Sequence, residues 1–433
     1  MARQKNRDFS LQNSGAGIDD REYYGRAFRI VKLVRYAVLV VLVLFTVFSM
    51  TFYKDEMTFD NFRYLMKYIE ISPPMVSGGE DNIHFSASSS AEFAMLGDKL
   101  AVVNSNNISS YDSGGRKILN ENFSYQNPVC VSNGKYIMIY DLDGYSISVY
   151  NSFSKVFEKK LATPIDYAYL SDDGAFAVIT REKSYSGGVV AFNSNFKQVF
   201  SFMTRTAAIT DVCFDGARGL LACATTDVKD GDFFSEIFTF DITNDESYKS
   251  RTELSGELPL GMFCADKNFA LMTDAGIHYY TYDGGSEGYT DFGYDTPSAV
   301  YRFDGFFAVT FKSALAGANT SLRGYDCSGD ELFAFDYSFE IVHVNAAYGK
   351  MYVLEQSGLD IYNYDGEYNF DISAERAEGL NDAGRYRRVY SLENGEYMLV
   401  SSVGAVCISP YEDEAESGAG DAGTNESESV PAA

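Results

Sequence analysis

An aromatic residue followed by Asp or Asn closes a short apolar strand again and again along this chain. The pair occurs at Tyr111-Asp112, Tyr150-Asn151, Phe192-Asn193, Phe240-Asp241, Tyr282-Asp283, Tyr325-Asp326, Tyr364-Asp365 and, in weaker form, Tyr411-Glu412. The steps between pairs are 39, 42, 48, 42, 43, 39 and 47 residues. A period near forty, with several short strands in each unit, is the signature of a β-propeller. It fixes the fold class as all-β. Function has to come from sites, because propellers bind, scaffold and sometimes catalyse.

Each unit repeats one order of elements. A strand is followed by a tight turn and then by an apolar strand. Examples of that turn are Ser132-Asn133-Gly134-Lys135, Ser171-Asp172-Asp173-Gly174, Phe303-Asp304-Gly305 and Glu393-Asn394-Gly395. Asn-Gly and Asp-Gly suit two-residue hairpins, whose central positions both need positive φ. The third strand ends in the aromatic pair, and a fourth follows, as in Glu331 to Phe335. Four antiparallel strands make one blade. The aromatic is expected to pack on a neighbouring blade while Asp or Asn caps the turn. Eight units are counted over 82–412, or seven blades if one terminal unit is not a blade. The last unit lacks a fourth strand, and Asn82 to Ser86 is the candidate to supply it and remove the open edge.

Residues 36–53 carry no charge, and the flank from Ile30 is largely apolar, which predicts a transmembrane signal anchor over 30–53. No small-x-small site follows, so the anchor is expected to stay uncleaved. Most basic residues near the span lie before it, and Lys54 is followed at once by Asp55 and Glu56. The N-terminus is therefore expected in the cytoplasm and the propeller outside. Residues 1–29 form a basic tail. Residues 54–81 hold a helix over 58–70, with Phe59, Phe62, Leu65, Met66 and Ile69 on one face, and then a Pro/Gly spacer. Residues 413–433 read as a disordered acidic tail.

Residues 1–35 carry eight basic groups against four acidic ones, so the remainder holds 27 basic and 57 acidic, a net of −30. Such a domain repels nucleic acid and anionic membrane surfaces. The six cysteines are spread out with no CxxC, which reads as buried free thiols. Cys213 and Cys223 flank one turn, and whether they pair is left open.

Candidate chemistry is thin. Gly284-Gly285-Ser286-Glu287-Gly288 matches the hydrolase elbow, but that elbow needs strand-turn-helix and a strand follows here. His84, His278 and His343 sit in strands of different units and could converge only on a central channel. Asp141-Leu-Asp143-Gly144 and Asp227 to Asp232 resemble calcium loops without the Glu twelve positions on. Asn107, Asn122, Asn319 and Asn425 begin glycosylation-type triplets. No catalytic, cofactor-binding or metal-binding residue is assigned, and no cofactor is expected.

The rhythm Tyr111-Asp112-Ser113-Gly114-Gly115 and Tyr282-Asp283-Gly284-Gly285 resembles the quinoprotein-like (PQQ-type) propellers, including their assembly-factor branch that binds no cofactor. The resemblance covers 82–412. It departs at the docking Trp after the repeat Gly, because this chain has no Trp. With the N-terminal anchor and Phe62-Arg63-Tyr64-Leu65, the chain resembles an uncharacterised family of bacterial single-pass proteins with such an ectodomain. That resemblance implies a non-catalytic binding or scaffolding module at the cell envelope, with a protein or envelope-component partner. The alternatives are an enzyme using the channel or a sensor coupled to the cytoplasmic tail.

Overall fold

The computed structural model describes residues 82–408 apart from 182–184, 244–247, 266, 314–319, 372 and 378–382. Before these it describes only Lys32, Val34–Tyr36, Val38–Val41 and Val43, which are helical and exposed. No helix among the described residues is long and apolar enough to cross a membrane. The rest of the span predicted over 30–53 lies outside the described residues. So do the tail 1–29, the helix over 58–70, Tyr411-Glu412 and the tail 413–433. The chain divides into two compact units, Met1–Ser72 and Pro73–Ala433.

The second unit is eight antiparallel four-stranded sheets. Blades one to seven run in chain order over 92–122, 128–160, 165–204, 208–255, 259–291, 295–337 and 341–376. Blade eight takes its first three strands from Arg388–Ser391, Tyr397–Val400 and Gly404–Ile408. Its fourth is Asn82–His84, paired antiparallel as Asn82↔Val406, Ile83↔Ala405 and His84↔Gly404. Ile83 is fully buried among Leu100 and Val102 of blade one and Met398, Val400 and Ala405 of blade eight. Gly404 permits this closure. A Cβ there would sit 2.6 Å from the Ile83 carbonyl oxygen.

Most second strands are buried along nearly their whole length, as in Lys99–Val103, Ile137–Asp141 and Tyr397–Val400. They lie between blades on both sides, which is why their sequences are nearly continuous apolar runs. Outer strands alternate, as in Gln198–Thr204 and Tyr248–Ser255.

The repeated aromatic marks a β-bulge. The register shifts immediately before Tyr111, Tyr150, Phe192, Phe240 and Tyr325. A bulge bends the strand and re-aims its side chain, and here each ring packs on the preceding blade. Tyr150 lies with Leu96, Ala101 and Ile108 of blade one, and Phe240 with Ala177 and Val189 of blade three. The following Asp or Asn takes the turn's N–H groups. Asp326 Oδ1 accepts from Ser328, Gly329 and Asp330 at 2.8–2.9 Å, and Asn193 Oδ1 from Asn195 and Lys197.

Blade five corrects the reading of the repeat. Its bulge falls between Tyr279 and Tyr280, and Thr281 N–H donates to the Gly285 carbonyl. Thr281 Oγ1 accepts the Gly285 N–H at 3.0 Å, the role Asp has elsewhere. The structural pair is Tyr280-Thr281, two residues before Tyr282-Asp283, and Asp283 instead pairs with Lys249 at 3.0 Å.

The Asn-Gly and Asp-Gly turns are also corrected. Positive φ falls on Gly134, Gly174, Gly305 and Gly395 but not on the residue before each. The polar neighbour acts through its side chain instead, as Asn133 Oδ1 does for Lys135 and Tyr136 N–H. Two turns do place positive φ on both central residues, Asp230-Gly231 and Tyr348-Gly349.

Candidate functional site

In a propeller the first strand of each blade lines the central channel. Five of these strands carry a bulge near their start, after Ile165, Ile209, Pro259, Pro297 and Ile341. The residues just past it are Tyr167, Asp211, Gly261, Ala299 and His343. Two of these side chains cap the neighbouring blade's free edge. Asp211 Oδ2 accepts the Met262 N–H at 2.7 Å, and His343 Nδ1 accepts the Val389 N–H at 3.3 Å. Both satisfy backbone groups that a channel-lining edge leaves unpaired.

Asp211 is the centre of a polar cluster. Its Oδ1 accepts the Val212 N–H at 2.8 Å, and Arg302 Nη2 lies 3.6 Å from Oδ2. Burial pushes the Asp211 carboxyl up to about 6, against the opposing pull of Arg302 and the two N–H groups. Arg302 comes from blade six. It donates to the Tyr167 hydroxyl of blade three and to the Met262 carbonyl of blade five, each at 3.2 Å, and lies over the Phe263 ring at 4.9 Å. Its guanidinium is deeply surrounded yet its side chain is 43% exposed to the channel. One arginine thus ties blades three, four, five and six. Both Asp211 oxygens accept a backbone N–H, so the cluster fixes strands of neighbouring blades to one another.

The three histidines do not converge. His84 is on the outer strand of blade eight, and His278 is on the third strand of blade five, where Nε2 meets Glu257 Oε2 at 2.8 Å. Only His343 is on a first strand. Burial and then Arg388 push it down to about 3, so it is neutral. The Gly284–Gly288 segment is the turn into the strand Ser286–Asp291, with no helix after it. Asp141 Oδ1 caps Gln126 and Asn127 N–H at 2.8 Å, Asp143 pairs with Arg181, and Asp227 to Asp232 is a hairpin. No group of three or more metal-ligating side chains occurs among the described residues. Asn319 and Asn425 lie outside them.

Cys213 and Cys223 do not pair. Cys213 is opposite Ala222 and Cys223 opposite Val212, so the two thiols point to opposite faces of the sheet. Cys223 packs between blades three and four, and Cys213 between four and five. Burial, followed by Cys264, pushes the Cys213 thiol up.

The ring has two unlike faces. Turns from first to second and from third to fourth strands lie on one, here the turn face. Turns from second to third strands and the links between blades lie on the other, the loop face. Large exposed apolar residues gather on the loop face: Tyr145, Val228, Phe233, Leu260, Tyr294, Phe339 and Val403. Tyr294 is 86% exposed. Of the described residues on the turn face, Val199, Tyr248 and Tyr348 are of this kind. Both described ends of the ring, Asn82 and Ile408, lie on the turn face.

Also on the loop face, the starts of the first strands of blades seven, eight and one enclose a cavity of about 290 Å³. Its walls are Ser89 to Phe93, Val342, Arg387 and Arg388. The sequence analysis missed this cavity and the Asp211 cluster. A lone Asp inside the apolar run Ile209 to Phe214 was the available signal for the second. Nothing in the repeat pointed to the first.

The architecture is that of an eight-bladed β-propeller. Residues 79–379 match the model of a family of unknown function (DUF5711), and the chain belongs to that family. No curated protein matches it. Among solved structures, the C-terminal WD40 domain of Sif2 is similar at 13% identity and a TM-score of 0.50, over 76% of this chain and 97% of that one. BamB from Moraxella catarrhalis is similar at 14% identity and a TM-score of 0.44, over 75% of this chain and 98% of that one. At such identities the Sif2 likeness speaks for the fold alone.

Proposed function

We propose that this propeller is a non-catalytic binding module that takes a protein partner on its loop face. The observation that carries the reading is the one-sided distribution of exposed apolar side chains. Surface Tyr, Phe and Val are individually ordinary, but their concentration on one face with few on the other is what an interaction surface requires. That face is also clear of both ends of the ring. The uncharged run over 36–53 and the basic flank before it support a location at the extracytoplasmic side of a bacterial membrane, with the N-terminus cytoplasmic.

A catalytic reading would rest on Asp211, whose carboxyl is raised toward neutrality beside Arg302 in the channel. Its two backbone N–H partners favour a structural role instead. The test is site-specific photocrosslinking in native membranes, with the crosslinker at Tyr294 or Phe339 and, for comparison, at Asp326 on the turn face. Adducts from the loop face alone support the proposal. Adducts from Asp326 alone overturn it.

A further inference from the structure

The cavity at the loop-face mouth of the channel has a charge pattern at odds with the rest of the domain. Arg387 Nη1 donates to the Ser89 carbonyl at 3.4 Å, and Arg388 Nη1 to the Arg387 carbonyl at 3.0 Å. Several arginines elsewhere on the ring are closely matched to acids. Arg181 meets Asp143 and Asp166, Arg376 meets Glu355 and Asp360, and Arg323 meets Asp295 at 2.6 Å. In the cavity Arg387 has no acidic partner among the described residues. Arg388 has only Glu92, 3.5 Å away, with its carboxylate 51% exposed. Both guanidiniums thus keep most of their donors unused, in a chain whose residues 36–433 carry a net charge of −30. Beside them stand Ser89 and Ser90 and the apolar residues Phe93, Ala91 and Val342.

We infer that this cavity is a binding site for a carboxylate, held in the fork of Arg387 and Arg388 with its carbon chain against Phe93 and Val342. A planar guanidinium presents paired N–H groups that match the two oxygens of a carboxylate. The volume is at the small end of ligand pockets, which suits a short acid or the terminal residue of a chain. Glu92 is the built-in competitor, because it occupies one Arg388 donor when the site is empty. The inference does not depend on the loop-face partner. A carboxylate can come from a free small acid or from the C-terminus of a polypeptide, and the two sources separate experimentally.

The test is calorimetry on the purified full-length chain. The probes are succinate, citrate, a hexapeptide ending in a free carboxylate, and the same peptide as its C-terminal amide. Binding of succinate or citrate identifies a free acid. Binding of the peptide acid but not the amide identifies a chain terminus. In either case Arg387→Gln and Arg388→Gln each weaken binding about tenfold or more, the worth of one charge-assisted contact. Arg388→Lys gives an intermediate loss. Glu92→Gln strengthens binding, a gain that a misfolded variant cannot produce. No heat with any probe at about 10 mM, weaker than any useful affinity, overturns the site. So does binding unchanged in the Arg387→Gln/Arg388→Gln double variant.

Discussion

The turn face and the loop face are built from the same repeat, yet their polar and apolar residues are used differently. On the turn face, Asp and Asn side chains are turned inward on their own backbone. Asp326 takes three N–H groups, and Asp365 takes those of Glu367 and Asn369. These residues recur because every blade needs the same turn. On the loop face the links differ from blade to blade, and Tyr294, Phe339 and Val403 stand out with no blade beneath to cover them. Recurrence therefore marks structure in this molecule, and irregularity marks the surface available for function. Sequence reading is drawn to the recurring residues, and so looks first at the turn face.

The contrast presupposes a closed ring, and breaking the closure has the largest expected effect. Internal deletion of residues 82–86 removes buried Ile83 and leaves Gly404 to Val406 as an open edge. Thermal unfolding is expected to fall by on the order of 10 °C. An unchanged midpoint would mean that blade eight holds with three strands.

The channel cluster comes next. Asp211→Ala leaves the Met262 N–H without its acceptor and Arg302 without its carboxylate neighbour, and is expected to cost about 3 kcal/mol in chemical denaturation. Asp211→Asn keeps an acceptor for Met262 and removes a buried charge, so at pH 8 it should stay within about 1 kcal/mol of the parent. The pH dependence has a definite sign. Burial raises the folded carboxyl from 3.8 to about 6. The folded state then binds the proton more tightly than the unfolded state. Its contribution is complete below the ordinary value and is lost as pH rises through about 6. Relative to Asp211→Asn, the parent should lose stability between pH 4 and pH 7. A parent that gains stability against the variant over that range would show that Arg302, not burial, controls the group.

The legible and illegible parts of the chain divide along the same line. The period near forty gave the blades, and the missing strand in the last unit pointed to Asn82 to Ser86, of which Asn82–His84 pairs, because both follow from local strand-and-turn chemistry. Tyr282-Asp283 misled, because the motif is defined by a bulge and a turn acceptor, and Thr281 Oγ1 serves where Asp is absent. Cys213 and Cys223 looked like neighbours because sequence distance across a hairpin does not say which face a thiol occupies, and one residue of register decides it. Arg302 reaches Tyr167 across 135 positions of sequence, and Arg388 reaches Glu92 across 296. Such contacts exist only once the ring closes, and no local pattern announces them.

The smallest effects sharpen the comparison most directly, because they separate stability from binding. Asp326→Ala removes the acceptor of three turn N–H groups and should cost about 1–2 kcal/mol. Crosslinking from the loop face should be unchanged in that variant. Tyr294→Ser and Phe339→Ser should behave in the opposite way. Tyr294 is 86% exposed and Phe339 is 50% exposed, so little apolar area is lost from water on folding at either position. Their stability should stay within about 0.5 kcal/mol of the parent, as for surface sites without special contacts. If the loop face holds a partner, exposed aromatics are the side chains expected to anchor it, and truncating an anchor costs a complex about 2 kcal/mol or more. Partner recovery in native membranes should then drop in the double variant while its denaturation curve overlays the parent's. A double variant that unfolds earlier would show these rings to be covered within the folded chain. One that keeps both its stability and its partner would move the interaction off the loop face.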